Sequence, residues 1–229
     1  MRYQVLASDY DGTLATSGKV GPAGLDALDR LAASGRKLIL VTGRELPDLL
    51  GVFPELGRFD RVVAENGGLL YNPESGEAKP LTEAPPAALI HALAARGVAP
   101  LSVGRTIIAT WEPHETTVIQ VIRDLGLEYQ VIFNKGAVMI LPSGVNKATG
   151  LSAALAELGL SARSVVGIGD AENDHAFLSI CGVSVAVANA LPTLKDRADW
   201  VTEGTHEAGV IEVVDRMLTD DLHEIARDL

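Results

Sequence analysis

The chain has 229 residues, enough for one large domain or for a core with a smaller insert. Hydrophobic residues make up 47%, ample for a sizeable core, and the formal net charge of −11 argues against the basic surface that non-specific nucleic-acid binding needs. The single cysteine, Cys181, excludes an intramolecular disulfide. With no signal peptide at the N-terminus the expected setting is a reducing cytoplasm, and no apolar run approaches the ~18 residues of a membrane span.

The first apolar run, Tyr3 to Ala7, reads as a buried parallel strand, and it ends on Asp9, Asp11 and Gly12. A helix is expected from Pro22, with Leu25, Leu28 and Leu31 at helical spacing and Gly35 as its C-cap. Lys37 to Val41 is a second strand, ending in Thr42-Gly43-Arg44, and Pro47 opens a short helix. Arg61 to Ala64 is a third strand, followed by Glu65-Asn66-Gly67-Gly68, and Leu69 to Tyr71 and Ala78 to Leu81 flank a hairpin-like turn.

The rhythm changes near Thr82. A helix over Ala87 to Arg96, a β-rich stretch over Leu101 to Trp111, a helix over Thr116 to Leu125 and strands over Tyr129 to Phe133 and Ala137 to Leu141 carry antiparallel hairpin signals. Residues 82–142 therefore read as an inserted α+β domain, with 1–81 and 143–229 forming an α/β core around a doubly wound, mainly parallel sheet. The strand-helix alternation then resumes: a helix from Lys147 to Leu158, a strand over Ser164 to Ile168 ending in Gly169-Asp170, then Asn173-Asp174 and a short helix from His175 to Ser179. Val183 to Val187 (strand), Leu191 to Arg197 (helix), Trp200 to Thr202 (strand) and Val210 to Leu218 (helix) close the core, and Asp220 to Leu229 reads as a charged tail that continues helically.

Ligands in open α/β sheets bind at the carboxyl ends of the strands, where these groups collect. Asp9 and Asp11, one residue apart, repel each other unless a proton or cation lies between them, and a hard cation such as Mg²⁺ suits oxygen ligands. An EF-hand is a poor fit, because Gly12 comes too early and Val20 stands where the glutamate belongs. A carboxylate nucleophile, a hydroxyl, a lysine and a metal-binding acidic group are what phosphoryl transfer requires. Taken singly, Thr42 and Asn173-Asp174 read as caps and Lys147 as a solvated lysine; Arg44 reads equally as a substrate contact or as the partner of a carboxylate.

In order and spacing, Asp9-Tyr10-Asp11-Gly12-Thr13, Thr42 in Val-Thr-Gly-Arg, Lys147, and Gly169-Asp170 with Asn173-Asp174 resemble the four signature pieces of the haloacid dehalogenase-like phosphohydrolases. The insert between the second and third pieces resembles the α/β-capped, Cof-like subgroup (IIB), which includes sucrose-phosphate and phosphoglycolate phosphatases. The resemblance implies an aspartyl-phosphate mechanism: Asp9 attacks phosphorus and Asp11 is the acid and base. Thr42 and Lys147 hold the phosphate, and Mg²⁺ is bound by Asp9, the Asp11 carbonyl and Asp170. Asn173 and Asp174 support the metal, or Asp174 instead holds Lys147. Gly43 and Arg44, and Arg105 and Lys135 from the insert, are the expected substrate contacts. The implied partner is a small phosphorylated metabolite, a sugar phosphate or phosphoglycolate, with no nucleic acid and no membrane; oligomeric state is left open. A phosphomutase on the same scaffold, a phospho-accepting receiver domain and a regulatory protein on an inactive scaffold are the alternatives. The second aspartate and the insert count against a receiver, and the intact acidic set against an inactive scaffold.

Overall fold

In chain order the elements are β1 (Val5–Ser8), α1 (Pro22–Ala33), β2 (Lys37–Val41), α2 (Leu46–Val52), β3 (Arg61–Ala64), β4 (Leu69–Asn72), β5 (Glu77–Pro80), α3 (Ala87–Ala95), β6 (Ser102–Val103) and β7 (Ile108–Trp111). There follow α4 (Glu115–Asp124), β8 (Tyr129–Asn134), β9 (Ala137–Pro142), α5 (Lys147–Leu158), β10 (Val165–Gly169), α6 (His175–Leu178), β11 (Val183–Ala186), α7 (Pro192–Lys195), β12 (Trp200–Val201) and α8 (Glu207–Asp220). This is a computed structural model, and it describes residues 1–223 and 225.

Two sheets organise these elements. The larger has the order β12-β11-β10-β1-β2-β3-β4-β5. The strands from β12 to β3 run parallel, and β4 and β5 add an antiparallel edge. β1 lies at the centre with all four residues buried, as an apolar strand covered on both faces should. α1 packs against α8 and on β2, while α5 packs on β2 and β3. Tyr10, Phe53 and Phe59 join the same core through ring contacts. The smaller sheet, β6-β7-β9-β8, is antiparallel throughout and has its own apolar cluster, in which Leu89, Leu93, Val118 and Val121 of α3 and α4 pack on Ile108, Val138 and Ile140. The fold is thus doubly wound and mainly parallel, with an α+β cap inserted between β5 and α5.

Several elements differ from the expectation. The β-rich stretch over Leu101 to Trp111 splits into β6 and β7, because the loop between them turns its amides onto Glu65. The helix expected over Leu191 to Arg197 shortens to α7. The closing helix starts earlier, at Glu207, and stops at Asp220, where Asp221 and Leu222 take positive φ. Asp221 is drawn out of the helix by Arg36, whose guanidinium donates to its Oδ1 at 2.9 Å. The helical tail expected beyond Asp220 is therefore interrupted at once; residues 224 and 226–229 lie outside the described residues. No helix among the described residues is long and apolar enough to cross a membrane.

Candidate active site

The register of the large sheet sets the site. Ser8 is level with Leu40 of β2 and Ile168 of β10, so the residues just beyond these strands, Asp9, Thr42 and Asp170, emerge at one edge. Strand-like hydrogen bonds persist past the strand ends, from the Asp9 amide to the Ile168 carbonyl (3.0 Å) and from the Thr42 amide to the Val63 carbonyl (2.8 Å). Gly12 turns the chain there at φ +85°. A Cβ at this position would fall 2.3 Å from Asp170 Oδ2, so both the backbone angle and the space require glycine. Asn189 holds the turn by donating to the Gly12 carbonyl at 2.7 Å.

Lys147 arrives from another direction. Asn146 caps α5, accepting from the amides of Ala148 (2.9 Å) and Thr149 (3.2 Å), which fixes where the helix begins and hence where Lys147 points. The backbone before the helix runs so close to Gly67 that a Cβ there would stand 1.9 Å from the Asn146 carbonyl oxygen. Lys147 is fully buried, and its Nζ donates to Asp9 Oδ1 at 2.5 Å and to Asp174 Oδ1 at 2.6 Å. Burial alone would lower the ammonium; Asp174 and Asp9 outweigh it and hold Lys147 charged, above the usual lysine range. Burial, with Asp174 next, pushes the Asp9 carboxyl well above its ordinary range despite the lysine. The cluster carries more negative charge than one ammonium neutralises.

Asp9, Asp170 and Asp174 each offer a carboxylate oxygen, and these lie within 4.8 Å of one another. The trio fits a hard divalent cation: the donors are all oxygens, all buried, and raised in proton affinity at Asp9 and Asp170, where burial is the main cause. Asn173, buried beside them in sequence, donates to Asn66 Oδ1 at 3.0 Å and leaves its own Oδ1 without a partner. The oxygens of Asp174 are already engaged, Oδ1 by Lys147 and Oδ2 by the amides of Asp170 (2.8 Å) and Ala171 (2.9 Å). Asp11 is not in the trio; both of its carboxylate oxygens are taken by Arg44, at 2.6 and 2.8 Å. Arg44 also reaches Asp48 at 2.5 Å.

Above this edge opens a cavity of about 560 Å³. The core contributes Asp9, Asp11, Thr42, Gly43, Arg44 and Asp48 to its walls, and the smaller sheet contributes Ala109, Trp111, Lys135 and Met139 among others. Thr42 is buried, and its Oγ1 accepts from the Arg44 amide at 3.1 Å. Lys135 stands in the cavity with its Nζ on Asp170 Oδ2.

Arg105, expected at the substrate, is elsewhere. It is exposed, its guanidinium donates to the Ala78 carbonyl at 3.4 Å, and it does not line the cavity. The cause is Glu65, fully buried, whose carboxylate accepts from the amides of Arg105 (3.1 Å) and Thr106 (2.7 Å) and from Thr106 Oγ1 (2.8 Å). That grip turns the Arg105 side chain toward β5. Thr13 and Met139 also belong to the site. Thr13 donates to Asp170 Oδ1 at 3.1 Å, and its place in the Asp-Gly-Thr motif was the available signal. Met139, within 3.2 Å of where a Gly43 Cβ would stand, carried no signal in a strand that reads as ordinary core.

These features define a class: an enzyme with a doubly wound core whose buried carboxylates and lysine face a cavity roofed by a second sheet. The family profile of haloacid dehalogenase-like hydrolases matches residues 6–101 and 114–214. A phosphoglycolate phosphatase of Methanothermobacter thermautotrophicus is 31% identical over 224 residues, covering 94% of this chain and 99% of the relative. A second phosphoglycolate phosphatase, from Natronomonas pharaonis, is 31% identical over 222 residues, covering 92% and 96%. The crystal structure of a haloacid dehalogenase-like hydrolase from Bacteroides thetaiotaomicron superposes with a TM-score of 0.76 at 22% identity, covering 94% of this chain and 99% of that one. The chain belongs to the haloacid dehalogenase-like hydrolase family.

Proposed function

We propose that the protein is a Mg²⁺-dependent phosphatase of small phosphomonoesters that works through an acyl phosphate on Asp9. The observation that carries this reading is the placement of Asp9 on the cavity floor, with Oδ1 held by the buried Lys147 at 2.5 Å. Lys147 keeps the carboxylate oriented and leaves Oδ2 to attack phosphorus. As the Asp9–phosphorus bond forms, the bond from phosphorus to the leaving oxygen breaks, and Asp11 supplies the proton that oxygen needs. Asp11 then takes a proton from water; the water oxygen bonds to phosphorus and the Asp9–phosphorus bond breaks, releasing phosphate.

Arg44 must loosen its two-point hold on Asp11 for that proton traffic, and Asp48 offers it another partner. Thr42 at the end of β2 and Lys147 bind phosphate oxygens. Asp174 acts through Lys147, positioning it, while its second oxygen fixes the Asp170 backbone. Asp9, Asp170 and the Asp11 carbonyl would hold Mg²⁺, with Asn173 supporting them; the ion when bound supplies charge for the phosphate oxygens in the transition state.

The family's phosphoglycolate phosphatases support a small acidic substrate, as does a roof that brings Met139 down beside Gly43. The single buried cysteine supports a cytoplasmic setting. The test is phosphate release from p-nitrophenyl phosphate with Mg²⁺ and its loss in EDTA, followed by kcat/KM for phosphoglycolate, hexose phosphates, sucrose phosphate, nucleotides and a phosphopeptide. Preference for a nucleotide or the phosphopeptide contradicts the substrate class, and full turnover in EDTA contradicts the metal.

A further inference from the structure

Lys135 occupies an unusual position for a residue of the roof. It stands in the turn between β8 and β9 with φ +47°, followed by Gly136 at φ +87°. Its amide donates to Glu172 Oε2 at 3.2 Å, and its Nζ reaches down to Asp170 Oδ2, packed against Gly12. Asp170 is fully buried, and Thr13 holds its other oxygen. The oxygen that Lys135 takes is therefore the one Asp170 has left to offer a metal.

We propose that Lys135 and the divalent cation compete for Asp170 Oδ2, so that metal binding displaces the lysine and delivers its ammonium to an anionic group on the leaving portion of the substrate. The metal half of this statement concerns Asp170 alone; the substrate half rests on the phosphatase reading.

Three observations support the exchange. The first is charge: Asp9, Asp170 and Asp174 face two ammonium groups, Lys147 and Lys135, and a divalent ion in place of Lys135 brings the cluster to formal balance. The second is the unequal hold on the two lysines. Lys147 has 1% of its side chain exposed and is gripped by two carboxylates, whereas Lys135 has 44% exposed and one, so Lys135 is the one that leaves at small desolvation cost. The third is the destination. Lys135 already lines the cavity, and the other lining cation, Arg44, is committed to Asp11 and Asp48. The amide contact to Glu172 keeps the turn at the cavity mouth while Nζ moves. A carboxylate on the substrate, clear of the phosphate that Lys147 and Thr42 hold, is a group such an ammonium meets with a charge-assisted hydrogen bond.

Mn²⁺ titration followed by electron paramagnetic resonance tests the metal half without substrate. The proteins compared are the wild type, Lys135→Gln, Lys135→Met and the control Arg105→Gln, each checked for folding by its thermal midpoint. Removing the competing charge should tighten Mn²⁺ binding about five- to tenfold in both Lys135 variants and leave the Arg105 variant unchanged. Kinetics test the substrate half: KM for phosphoglycolate should rise about tenfold in Lys135→Gln while KM for p-nitrophenyl phosphate stays within about twofold. Mn²⁺ affinity that is unchanged or weakened in both Lys135 variants overturns the competition. A KM increase shared equally by both substrates overturns the delivery. Absence of phosphate release from p-nitrophenyl phosphate in the wild type defeats the phosphatase reading instead, and the Mn²⁺ titration still decides the competition.

Discussion

The carboxyl edge of the large sheet and the cavity-facing side of the small one are built differently. At the edge, Asp9, Thr42, Lys147, Asp170 and Asp174 are all buried, and each side chain makes at least one hydrogen bond to a neighbouring backbone or side-chain group. On the facing side, Trp111 is 54% exposed, Lys135 half-exposed, and Ala109 and Met139 make apolar wall. The groups at the edge are held by overlapping, desolvated contacts. The groups on the facing side sit more singly, on a more exposed surface.

Asp9→Asn should strike hardest, lowering kcat by on the order of 10⁴-fold or more because an amide forms no acyl phosphate, with the thermal midpoint little changed. Near-native kcat in this variant would remove the basis of the mechanism. Asp11→Asn should cost about 10²–10⁴-fold in kcat while Mn²⁺ affinity survives, because its carboxylate is outside the acidic trio. Loss of metal affinity with kcat intact would make the Asp11 carboxylate a metal ligand and not the acid and base.

Lys147→Met strands two buried carboxylates and should cost ~3–5 kcal/mol in urea unfolding at neutral pH, with a smaller loss at acid pH where protonation relieves them. Breaking the exposed Arg96–Asp124 pair of the insert by Arg96→Gln should leave the urea midpoint nearly unchanged. Equal costs would abolish the contrast between the two regions. Met139→Ala should change rate least and discrimination most, improving kcat/KM for hexose phosphates relative to phosphoglycolate by about tenfold as the wall beside Gly43 recedes.

Alkaline pH acts on the edge as well. Burial, then Asp11, pushes the Tyr10 phenol from 10.0 up to about 12, and Lys147 is held above its ordinary range by its carboxylates. Both groups bind their protons more tightly folded than unfolded. The native state then holds the excess protons between about pH 10 and 12, and stability falls as pH rises through that window. Urea midpoints measured upward from pH 8 should decline above about pH 10, and Tyr10→Phe should remove part of the slope.

Much of the large sheet was legible because its strands are continuous apolar runs ending in polar residues, a pattern that burial on both faces imposes. The same logic picks out Asp9, Thr42 and Asp170, and the structure brings them to one edge. What sequence could not show is pairing. Arg44 binds Asp11 across 33 positions, Glu65 seizes the Arg105 amide and turns that side chain away, and Lys135 lands on Asp170 across the cavity. The open choice for Asp174 is likewise a matter of geometry, since only the fold shows both of its oxygens engaged. The end of α8 follows from the same limit, for Asp221 leaves the helix to meet Arg36, which lies between α1 and β2.

The central claim is the covalent bond to Asp9, and borohydride trapping tests it most directly. Protein mixed with phosphoglycolate or p-nitrophenyl phosphate and Mg²⁺, then treated with borohydride, should carry homoserine at position 9, the reduction product of an aspartyl phosphate, when its peptides are sequenced by mass spectrometry. Omitting substrate or using Asp9→Asn should abolish the product. Homoserine at position 11 or 170, or none at any aspartate while the same sample turns over substrate, would contradict the account.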